Sequence, residues 1–402
     1  MRILIQKFGG TSVASDEARL CAAQKVVAAH KAGYSPVVVV SAMGRRGAPY
    51  ATDTLIHMLK ECNDGVSARE LDQMMYCGEI ISAVMMTATL AKLGVPAVSL
   101  TGGQAGIVTD ASFSAARIIR MQTKEMQALL RDGIVPVVCG FQGVTVSGDH
   151  TTLGRGGSDT TAAALGNALD AEKIEIYTDV AGIMTADPKL VSEARLLDVA
   201  TYQEVCQMAE QGAKVIHPRA VEIAMQKNIP MVIRSTFSDE EGTLITNQNA
   251  GIETNIADRT VTSVAYVANL AQIKLVAEET PLTAAHIFRM LGKNGISADM
   301  INVCADQILF TVPDTHGDKA ASVLSVLPSK LTVTPDCAKV TIVGGGMRGV
   351  PGVMATFMEA LQEENVEVLQ TVDSHTTISA LIKKADLAQA VTVLHKKFRL
   401  SL

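Results

Sequence analysis

The sequence predicts an α/β fold in which a mainly parallel sheet, covered by helices on both faces, is followed by two ferredoxin-like modules. Two observations predict it. Short apolar runs alternate with helical patterns over about the first 235 residues, and the C-terminal part repeats itself with an offset of 70 residues. A chain of 402 residues is also long enough for two or three domains.

Five apolar runs in the first part predict buried strands. They are rich in Val and Ile and do not alternate with polar residues, as expected of a sheet that is covered on both faces. The runs are Ile3–Ile5, Val37–Val40, Val135–Val138, Ile174–Tyr177 and Met231–Ile233. Helical patterns lie between them, for example at 15–30 and 72–93, and this alternation favours a parallel sheet.

A change of composition near residue 240 predicts the end of the first domain. The segment 241–262 is polar and weakly patterned, which indicates a linker. We therefore expect an α/β domain at 1–240, a linker at 241–262, a first module at 263–335 and a second module at 336–402.

The C-terminal repeat consists of six sites that align in one register without a gap. The pairs are Pro281 with Pro351, Leu291 with Leu361, Ile296 with Val366, Ile308 with Ile378, Val312 with Ile382, and Val323-Leu324 with Val393-Leu394. Each unit has the order strand, helix, strand, strand, helix, which is typical of a ferredoxin-like module. Chance similarity between two apolar-patterned segments is the alternative, and six matches in one register make it the weaker one.

Charge and cysteine content narrow the function classes. A formal net charge of -6 argues against nucleic acid or an anionic membrane as the main partner. The seven cysteines are scattered and form no C-x-x-C motif, as expected of reduced thiols in a cytosolic protein. There is no charged-then-apolar leader and no uninterrupted apolar run long enough to span a bilayer. We therefore expect a cytoplasmic protein with no membrane partner.

Two glycine-rich segments are suited to binding an anion. The first, Lys7 to Val13, follows a strand, and its two glycines would let backbone N–H groups approach phosphate beside the lysine. The second, Thr151 to Thr161, offers Arg155 for a carboxylate and Asp159 for a metal ion or a phosphate-bound lysine. An ordinary strand-to-helix turn and a capped helix start are the respective alternatives.

A third segment, Thr178 to Lys189, leaves a predicted strand and ends in a proline-marked turn. Ligands in open α/β sheets bind at the carboxyl ends of strands, so this loop is placed to meet a nucleotide. Taken alone, it is better interpreted as a surface loop.

Five motifs together resemble those of the aspartate kinase family, in the same order and with matching spacing. They are KFGGTSV (7–13), CGE (77–79), GFQGVTVSGDHTTLGRGGSDTT (140–161), YTDVAGIMTADP (177–188) and GAKVIHPRA (212–220). The resemblance covers nearly the whole chain. It implies the amino-acid-kinase fold, a three-layer αβα domain with a mainly parallel sheet, followed by two ferredoxin-like ACT regulatory modules.

The resemblance also implies a role for each motif residue. Lys7 and Asp159 would be catalytic, with Lys7 stabilising the transferring phosphoryl group. Residues implied for L-aspartate are Ser41, Thr52, Glu79 (amino group), Phe141, Arg155 (α-carboxylate) and Ser158. Those implied for ATP are Lys7, Phe8, Gly9, Gly10, Thr178, Asp179, Met184, Lys189 and Lys214. Met184 and Lys189 depart from the family pattern, because many relatives have Tyr and Arg at these positions.

The implied reaction is transfer of the γ-phosphoryl group of ATP to the side-chain carboxylate of L-aspartate, at the start of lysine, diaminopimelate, threonine and methionine biosynthesis. This chemistry needs positioning and charge neutralisation, and its attacking carboxylate is already ionised at neutral pH. That agrees with the absence of an evident Ser/His/Asp or Cys/His set. Mg²⁺ is expected through the ATP phosphates, without a protein metal site.

The resemblance further implies feedback regulation by an amino acid bound at the ACT modules. Segment 374–378 is more similar to the diaminopimelate-inhibited type than to the lysine-inhibited one, and threonine is a third candidate. The candidate effector contacts are Thr280, Asp299, Asn302, Ser374 and His375. A homodimer joined through the ACT modules is the expected assembly.

Two other functions remain as alternatives. One is another kinase of the same fold, acting on glutamate, carbamate or a nucleotide, and the other is a catalytically inactive amino-acid sensor.

The segment Gly344–Gly349 satisfies the dinucleotide-binding pattern G-x-G-x-x-G. Only 53 residues follow it, too few to complete a dinucleotide-binding domain, and it lies inside the second repeat. We therefore interpret it as an effector-domain loop.

Overall fold

The computed structural model describes residues 1–213, 215–247, 260–277 and 283–402. These residues form two compact units. The first comprises Met1–Ile183, Leu196–Ala209 and 215–247. The second comprises Met184–Arg195, Glu210–Ala213, 260–277 and 283–402.

The first unit is built from strands β1 to β12 and helices α1 to α7. The strands are β1 (Ile3–Phe8), β2 (Ser35–Val40), β3 (Ala97–Leu100), β4 (Ile107–Thr109), β5 (Ile118–Met121), β6 (Val135–Cys139), β7 (Gln142–Thr145), β8 (His150–Thr152), β9 (Lys173–Thr178), β10 (Val199–Thr201), β11 (Met231–Ser235) and β12 (Thr243–Thr246). The helices are α1 (Asp16–Lys31), α2 (Thr52–Cys62), α3 (Ala68–Lys92), α4 (Lys124–Arg131), α5 (Gly157–Leu169), α6 (Tyr202–Glu210) and α7 (Pro218–Gln226).

An eight-stranded sheet in the order β10-β12-β11-β9-β1-β2-β6-β3 forms the centre of this unit. Its pairs are parallel except for β11 with β12. The five strands predicted from apolar runs are confirmed as β1, β2, β6, β9 and β11. A second sheet, in the order β5-β4-β7-β8, belongs to the same unit.

Helices cover both faces of the large sheet, as predicted. On one face Phe8, Val38 and Val40 pack in a buried cluster with Val26 of α1 and Met86 of α3. On the other face α5 packs closely, because a side chain at Gly166 would overlap Ile174 of β9. The arrangement is the expected three-layer αβα domain.

Helix α3 is a core helix. It begins at Ala68, four residues before the predicted start, because the Ser67 side chain accepts a hydrogen bond from the Glu70 N–H at 3.3 Å. By length and composition alone, α3 is long and apolar enough to cross a membrane. It instead buries Asp72 and Glu79 along with its apolar residues inside the first unit, so its apolar character reflects core packing.

The second unit is an antiparallel sheet with helices α8 to α11. The strands are β13 (Ser263–Ala277), β14 (Asp299–Val303), β15 (Gln307–Pro313), β16 (Ser329–Val343), β17 (Gln370–Asp373) and β18 (Thr377–Lys383). The helices are α8 (Ala284–Lys293), α9 (Gly317–Leu324), α10 (Val353–Glu363) and α11 (Leu387–Lys397). The strand order is β14-β15-β13-β16-β18-β17.

The predicted repeat is confirmed in the elements of this unit. Strands β15 and β18 have bounds that differ by 70 residues at both ends, and α9 and α11 begin 70 residues apart. Leu291 of α8 and Leu361 of α10 are both buried, one in the core of each module. Pro281, at the start of the first repeat, lies outside the described residues.

Strands β13 and β16 are shared between the two modules. The first half of β13, from Ser263 to Ala268, pairs with residues 338–343, whereas its second half pairs with the first half of β16 and with β15. The fourth strand of the second module therefore precedes the first module in the sequence, and β16 crosses the expected boundary at 335. Both neighbours of β16 are antiparallel to it, which is not the parallel context of a dinucleotide fingerprint.

The segment expected as a linker, 241–262, contains a strand. Thr243–Thr246 forms β12 between β10 and β11 of the large sheet. Residues 248–259 of the segment lie outside the described residues.

Candidate active site

The carboxyl ends of β1, β2, β6 and β9 meet at one edge of the large sheet, because these strands are parallel neighbours. A cavity of about 250 Å³ lies there. It is lined by all eight residues predicted for catalysis or aspartate binding, together with three glycines: Lys7, Ser41, Thr52, Glu79, Phe141, Gly154, Arg155, Gly156, Gly157, Ser158 and Asp159.

Lys7 and Asp159 form an ion pair inside the cavity. Lys7 Nζ lies 2.6 Å from Asp159 Oδ1, and both side chains are only 12% exposed. Lys7 comes from the end of β1 and Asp159 from the first turn of α5, where a carboxylate is favoured by the helix dipole. The pair holds an ammonium group at the start of a helix, next to backbone N–H groups that can donate hydrogen bonds to phosphate oxygens.

Glu79 lines the same cavity with a buried carboxyl group. The residue is 2% exposed, and its Oε1 accepts a hydrogen bond from the Ala42 N–H at 3.1 Å. Its Oε2 has no partner among the described residues. Burial raises the pKa of the Glu79 carboxyl to about 8. Such a group is suited to receive a cation that restores its charge.

Arg155 lies on a tight loop between β8 and α5. Its side chain is exposed and lines the cavity. Gly156 has φ +67, and a side chain there would also overlap His217. Only glycine satisfies both conditions, so the glycines of this loop allow Arg155 and the buried start of α5 to face one cavity.

The Gly9-Gly10 segment packs closely on the loop after β2. A Cβ at Gly10 would lie 2.6 Å from the Gly44 carbonyl oxygen, and the Gly44 N–H donates to the Gly10 carbonyl at 2.9 Å. The Gly9 N–H donates to the Tyr177 carbonyl at 3.1 Å, and Phe8 stacks on Tyr177. The predicted phosphate loop is thus held against the end of β9.

Thr178 and Asp179 lie directly after that contact, so the structure brings them to the same sheet edge as Phe8, Gly9 and Gly10. Asp179 accepts from Thr178 Oγ1 at 3.1 Å and forms an exposed ion pair with Arg45 at 2.6 Å. None of these five predicted nucleotide residues lines the cavity.

The remaining predicted nucleotide residues are not brought to this edge by the described first unit. Met184 and Lys189 belong to the segment Met184–Arg195 of the second unit. Lys214 lies outside the described residues.

The predicted effector residues lie in the second unit, apart from Thr280, which is outside the described residues. Asp299 and Asn302 are on β14. Burial acts to raise the pKa of Asp299, but the ion pair with the buried Lys339, at 2.5 Å, outweighs it and leaves the pKa low. Ser374 and His375 form the exposed turn between β17 and β18.

A larger cavity, of about 480 Å³, lies in the second unit between the start of α10 and the end of α11. It contains none of the predicted site residues. The smaller cavity is the better candidate because it combines a buried ion pair with an unpaired carboxylate oxygen.

Two functional candidates were not predicted from the sequence. Asp72 is a fully buried carboxylate on α3, and its spacing of seven residues from Glu79 was the available signal. Arg45, the partner of Asp179, had no signal because it lies 134 positions away in the chain. Among the described residues, no cluster of three or more His, Cys, Asp or Glu side chains is arranged to hold a metal ion.

Comparisons with known proteins agree on one family. Residues 2–235 match the model of the amino acid kinase family, and residues 332–396 match an ACT domain. Aspartokinase 1 of Bacillus subtilis (strain 168) is 46% identical over 403 residues, with 100% of both chains covered.

Two solved structures share the fold over nearly the whole chain. E. coli aspartokinase III in complex with aspartate and ADP (R-state) superposes with a TM-score of 0.79 at 26% identity, covering 98% of this chain and 99% of that one. The same enzyme in complex with lysine and aspartate (T-state) gives 0.78 at 25% identity with the same coverage.

Proposed function

The chain belongs to the aspartokinase family, and we propose that it transfers the γ-phosphoryl group of ATP to the side-chain carboxylate of L-aspartate, giving 4-phospho-L-aspartate and ADP. The observation that carries the proposal is the cavity lined by the Lys7–Asp159 ion pair, the Glu79 carboxyl group and the side chain of Arg155.

Glu79 and Arg155 would bind the two charged groups of the amino-acid backbone. The unpaired Oε2 of Glu79 is a receptor for the α-ammonium group, which would replace the proton that burial keeps on this carboxyl. Arg155 offers a planar fork for the α-carboxylate. Ser41, Thr52, Phe141 and Ser158 line the rest of the cavity and would hold the side chain of the substrate toward Lys7.

The transfer itself needs no general base. The β-carboxylate of free aspartate is ionised near neutral pH, since its ordinary pKa is about 3.9. One of its oxygens attacks the γ-phosphorus while the bond from that phosphorus to the β,γ-bridging oxygen breaks, and ADP leaves with the electron pair. Lys7 neutralises charge on the phosphoryl oxygens, and Asp159 holds its ammonium group in place.

ATP would lie along the edge formed by Phe8, Gly9, Gly10, Thr178 and Asp179. For Met184, Lys189 and Lys214 a nucleotide contact remains a prediction that rests on the resemblance alone. Mg²⁺ would be carried by the ATP phosphates. The residues present fit this ion, because Mg²⁺ is usually held by phosphates together with one or two carboxylates, and Asp159 supplies a carboxylate beside Lys7 in the cavity. When bound, it would supply further charge neutralisation at the β- and γ-phosphates.

The test is ATP-dependent formation of an acyl phosphate, trapped with hydroxylamine, with L-aspartate and L-glutamate in parallel. We expect product with aspartate alone, and loss of about 10³-fold or more in Lys7→Ala because the charge at the transferring group is removed. Lys92→Ala, at the exposed end of α3, is the matched control.

Three other outcomes would change the assignment. Product with glutamate would indicate another kinase of this fold. Absence of product from folded protein would favour an amino-acid sensor. Full activity in Lys7→Ala would be consistent with the proposed reaction but would contradict the proposed catalytic site.

We also propose regulation by an amino acid at the second unit, in a cytoplasmic homodimer joined through the ACT modules. The ACT match supports a regulatory ligand, and the lysine complex of the E. coli relative is a precedent in that protein. Asp299, Asn302, Ser374 and His375 are the proposed contacts, together with Thr280. Titration with diaminopimelate, lysine and threonine tests the effector, and a monomeric mass at micromolar concentration would contradict the dimer.

A further inference from the structure

Asp72 is a buried carboxylate that receives hydrogen bonds from four neutral donors. It is 0% exposed and lies in the second turn of α3. The Ser114 N–H donates to both oxygens at 3.0 and 2.9 Å, and Ser114 Oγ donates to Oδ1 at 3.1 Å. The Thr152 N–H donates to Oδ2 at 2.8 Å, and Thr152 Oγ1 donates to Oδ1 at 2.8 Å. A charge buried in this way needs its full set of donors.

These donors come from two segments that border the Arg155 loop. Thr152 ends β8, three residues before Arg155, and Ser114 lies between β4 and β5. Gly154 packs against the Ser114 carbonyl oxygen, where a Cβ would lie at 3.3 Å. Asp72 therefore ties α3 to both walls of the loop.

Further hydrogen bonds hold the chain that enters the loop. The Thr152 carbonyl accepts from the Ala116 N–H, and the Leu153 N–H donates to the Phe141 carbonyl, each at 2.9 Å. Arg219 donates to the Leu153 carbonyl at 3.0 Å. Of these contacts, those that Asp72 makes with Thr152 link β8 to α3.

Helix α3 also carries Glu79, seven residues beyond Asp72. Seven residues are two helical turns, so the two carboxylates lie on one face of α3. Asp72 thus connects the helix that carries Glu79 to the strand that leads into the Arg155 loop. These two side chains are the proposed receptors for the ammonium and carboxylate groups of one amino acid, which are a fixed distance apart.

We propose that Asp72 is a positioning residue that sets the separation of the two backbone-binding groups of the aspartate subsite. The inference rests on the proposed function, because it uses the roles of Glu79 and Arg155 given there. It differs from a purely structural role in one respect: loosening this contact disturbs the amino-acid subsite and leaves the Lys7–Asp159 pair, which meets phosphate, in place.

The test is Asp72→Asn in the full chain, with KM for aspartate, KM for ATP, kcat and the melting temperature measured together. The amide nitrogen of Asn must face donors that now point at an oxygen, so at least one hydrogen bond is lost. We expect KM for aspartate to rise about tenfold or more while KM for ATP changes by less than about twofold, since small displacements of binding groups have effects of this size.

Asp110→Asn is the matched control. Asp110 lies in the same connection as Ser114, and its Oδ1 accepts from the Ser112 and Arg117 N–H groups. Asn keeps that oxygen, so both KM values should stay within about twofold of the wild type.

Thr152→Val guards against a folding defect in Asp72→Asn. It keeps the shape of Thr152 and its N–H contact, and removes only the hydroxyl donor. We expect the same selective rise in KM for aspartate, about threefold or more. Equal increases in both KM values, or a lower melting temperature with unchanged KM values, would overturn the proposal in either variant.

Hydrogen exchange in the same proteins separates this inference from the proposed function. Asp72→Asn should speed amide exchange in 110–117 and 150–155, with β1 and the start of α5 unchanged. Unchanged exchange there would overturn the inference whatever the substrate. Absence of aspartyl phosphate in the wild type would instead refute the proposed function.

Discussion

Glu79 combines a bonded oxygen with an unbonded one, and this makes a pH dependence the most direct prediction at the scale of single residues. Burial raises the pKa of its carboxyl to about 8, so the free enzyme holds a proton there at neutral pH. An ammonium group can bind only after that proton leaves. We expect KM for aspartate to fall about tenfold per unit from pH 6 to about 7.5 and to level off above pH 8, with kcat nearly constant.

Glu79→Gln is the control for this dependence. The amide cannot ionise, so its KM should be high and independent of pH over the same range. The sign for stability follows from the same shift. The native state binds more protons than the unfolded state between the ordinary Glu pKa and about 8, so the free energy of unfolding falls as pH rises through that window. A pH-independent KM in the wild type would contradict the assignment of Glu79.

Gly156 gives a second prediction at this scale. Its φ is +67, and a Cβ would lie 2.2 Å from the Cβ of His217. We expect Gly156→Ala to lower the free energy of unfolding by more than about 2 kcal/mol, since left-handed backbone alone costs about 1–2 kcal/mol, and to reduce aspartate binding through Arg155.

Gly148→Ala is the matched comparison for that experiment. Gly148 has φ +93 but nothing within 4 Å of an added Cβ, so only the backbone cost of about 1–2 kcal/mol remains. Chemical denaturation of both variants measures the difference. Equal losses would show that the approach of His217 has no energetic weight.

At the scale of elements, the predicted strands and helices of the first unit follow from local composition. The run Val37–Val40 has no polar alternation and forms a strand buried on both faces, and Ser15 caps α1 by accepting from the Ala18 N–H at 3.2 Å. The division of β13 and β16 between two modules could not be predicted. It depends on pairing between segments about 70 residues apart, which no local pattern encodes.

The register of the β13–β16 pairing shifts at Asn269, which has φ +60, and pairing of β13 with β15 begins at the next residue, Leu270. Asn tolerates this conformation better than most residues, and Gly tolerates it without strain. We expect Asn269→Gly to change the free energy of unfolding by less than about 0.5 kcal/mol, and Asn269→Val to lower it by more than about 1 kcal/mol. Denaturant titration of the two variants would contradict this if Val were tolerated as well as Gly.

At the scale of the whole molecule, each of the two compact units is made of several separate segments of the chain. The motifs predicted most of the cavity because each lies next to the end of a strand, and strand ends converge in a parallel sheet. They did not predict Asp72, whose partners Ser114 and Thr152 are distant in sequence. They also did not predict that Met184–Arg195, which follows β9, belongs to the second unit.

That segment is part of the core of the second unit. Ala186 and Val191 are 4% exposed and pack in one buried cluster with Phe357 of α10 and Leu394 of α11. Thr185 Oγ1 lies 2.9 Å from Nε2 of the buried His395, and the Tyr266 hydroxyl donates to Asp187 Oδ2 at 2.9 Å. The segment therefore contributes both apolar contacts and buried hydrogen bonds to this unit.

Val191→Ala tests this contribution. Removing two buried methyl groups should lower the free energy of unfolding by about 2 kcal/mol. It should also speed hydrogen exchange in α10 and α11, with little change in α5 of the first unit. Val180→Ala is the matched control. Val180 lies in the same connection after β9 but is 41% exposed, so its substitution should change the free energy of unfolding by less than about 0.5 kcal/mol. If both substitutions had equal, small effects, the segment would be a surface loop. If protection from hydrogen exchange were lost only in α10 and α11, a stretch within the kinase sequence would be shown to stabilise the regulatory unit.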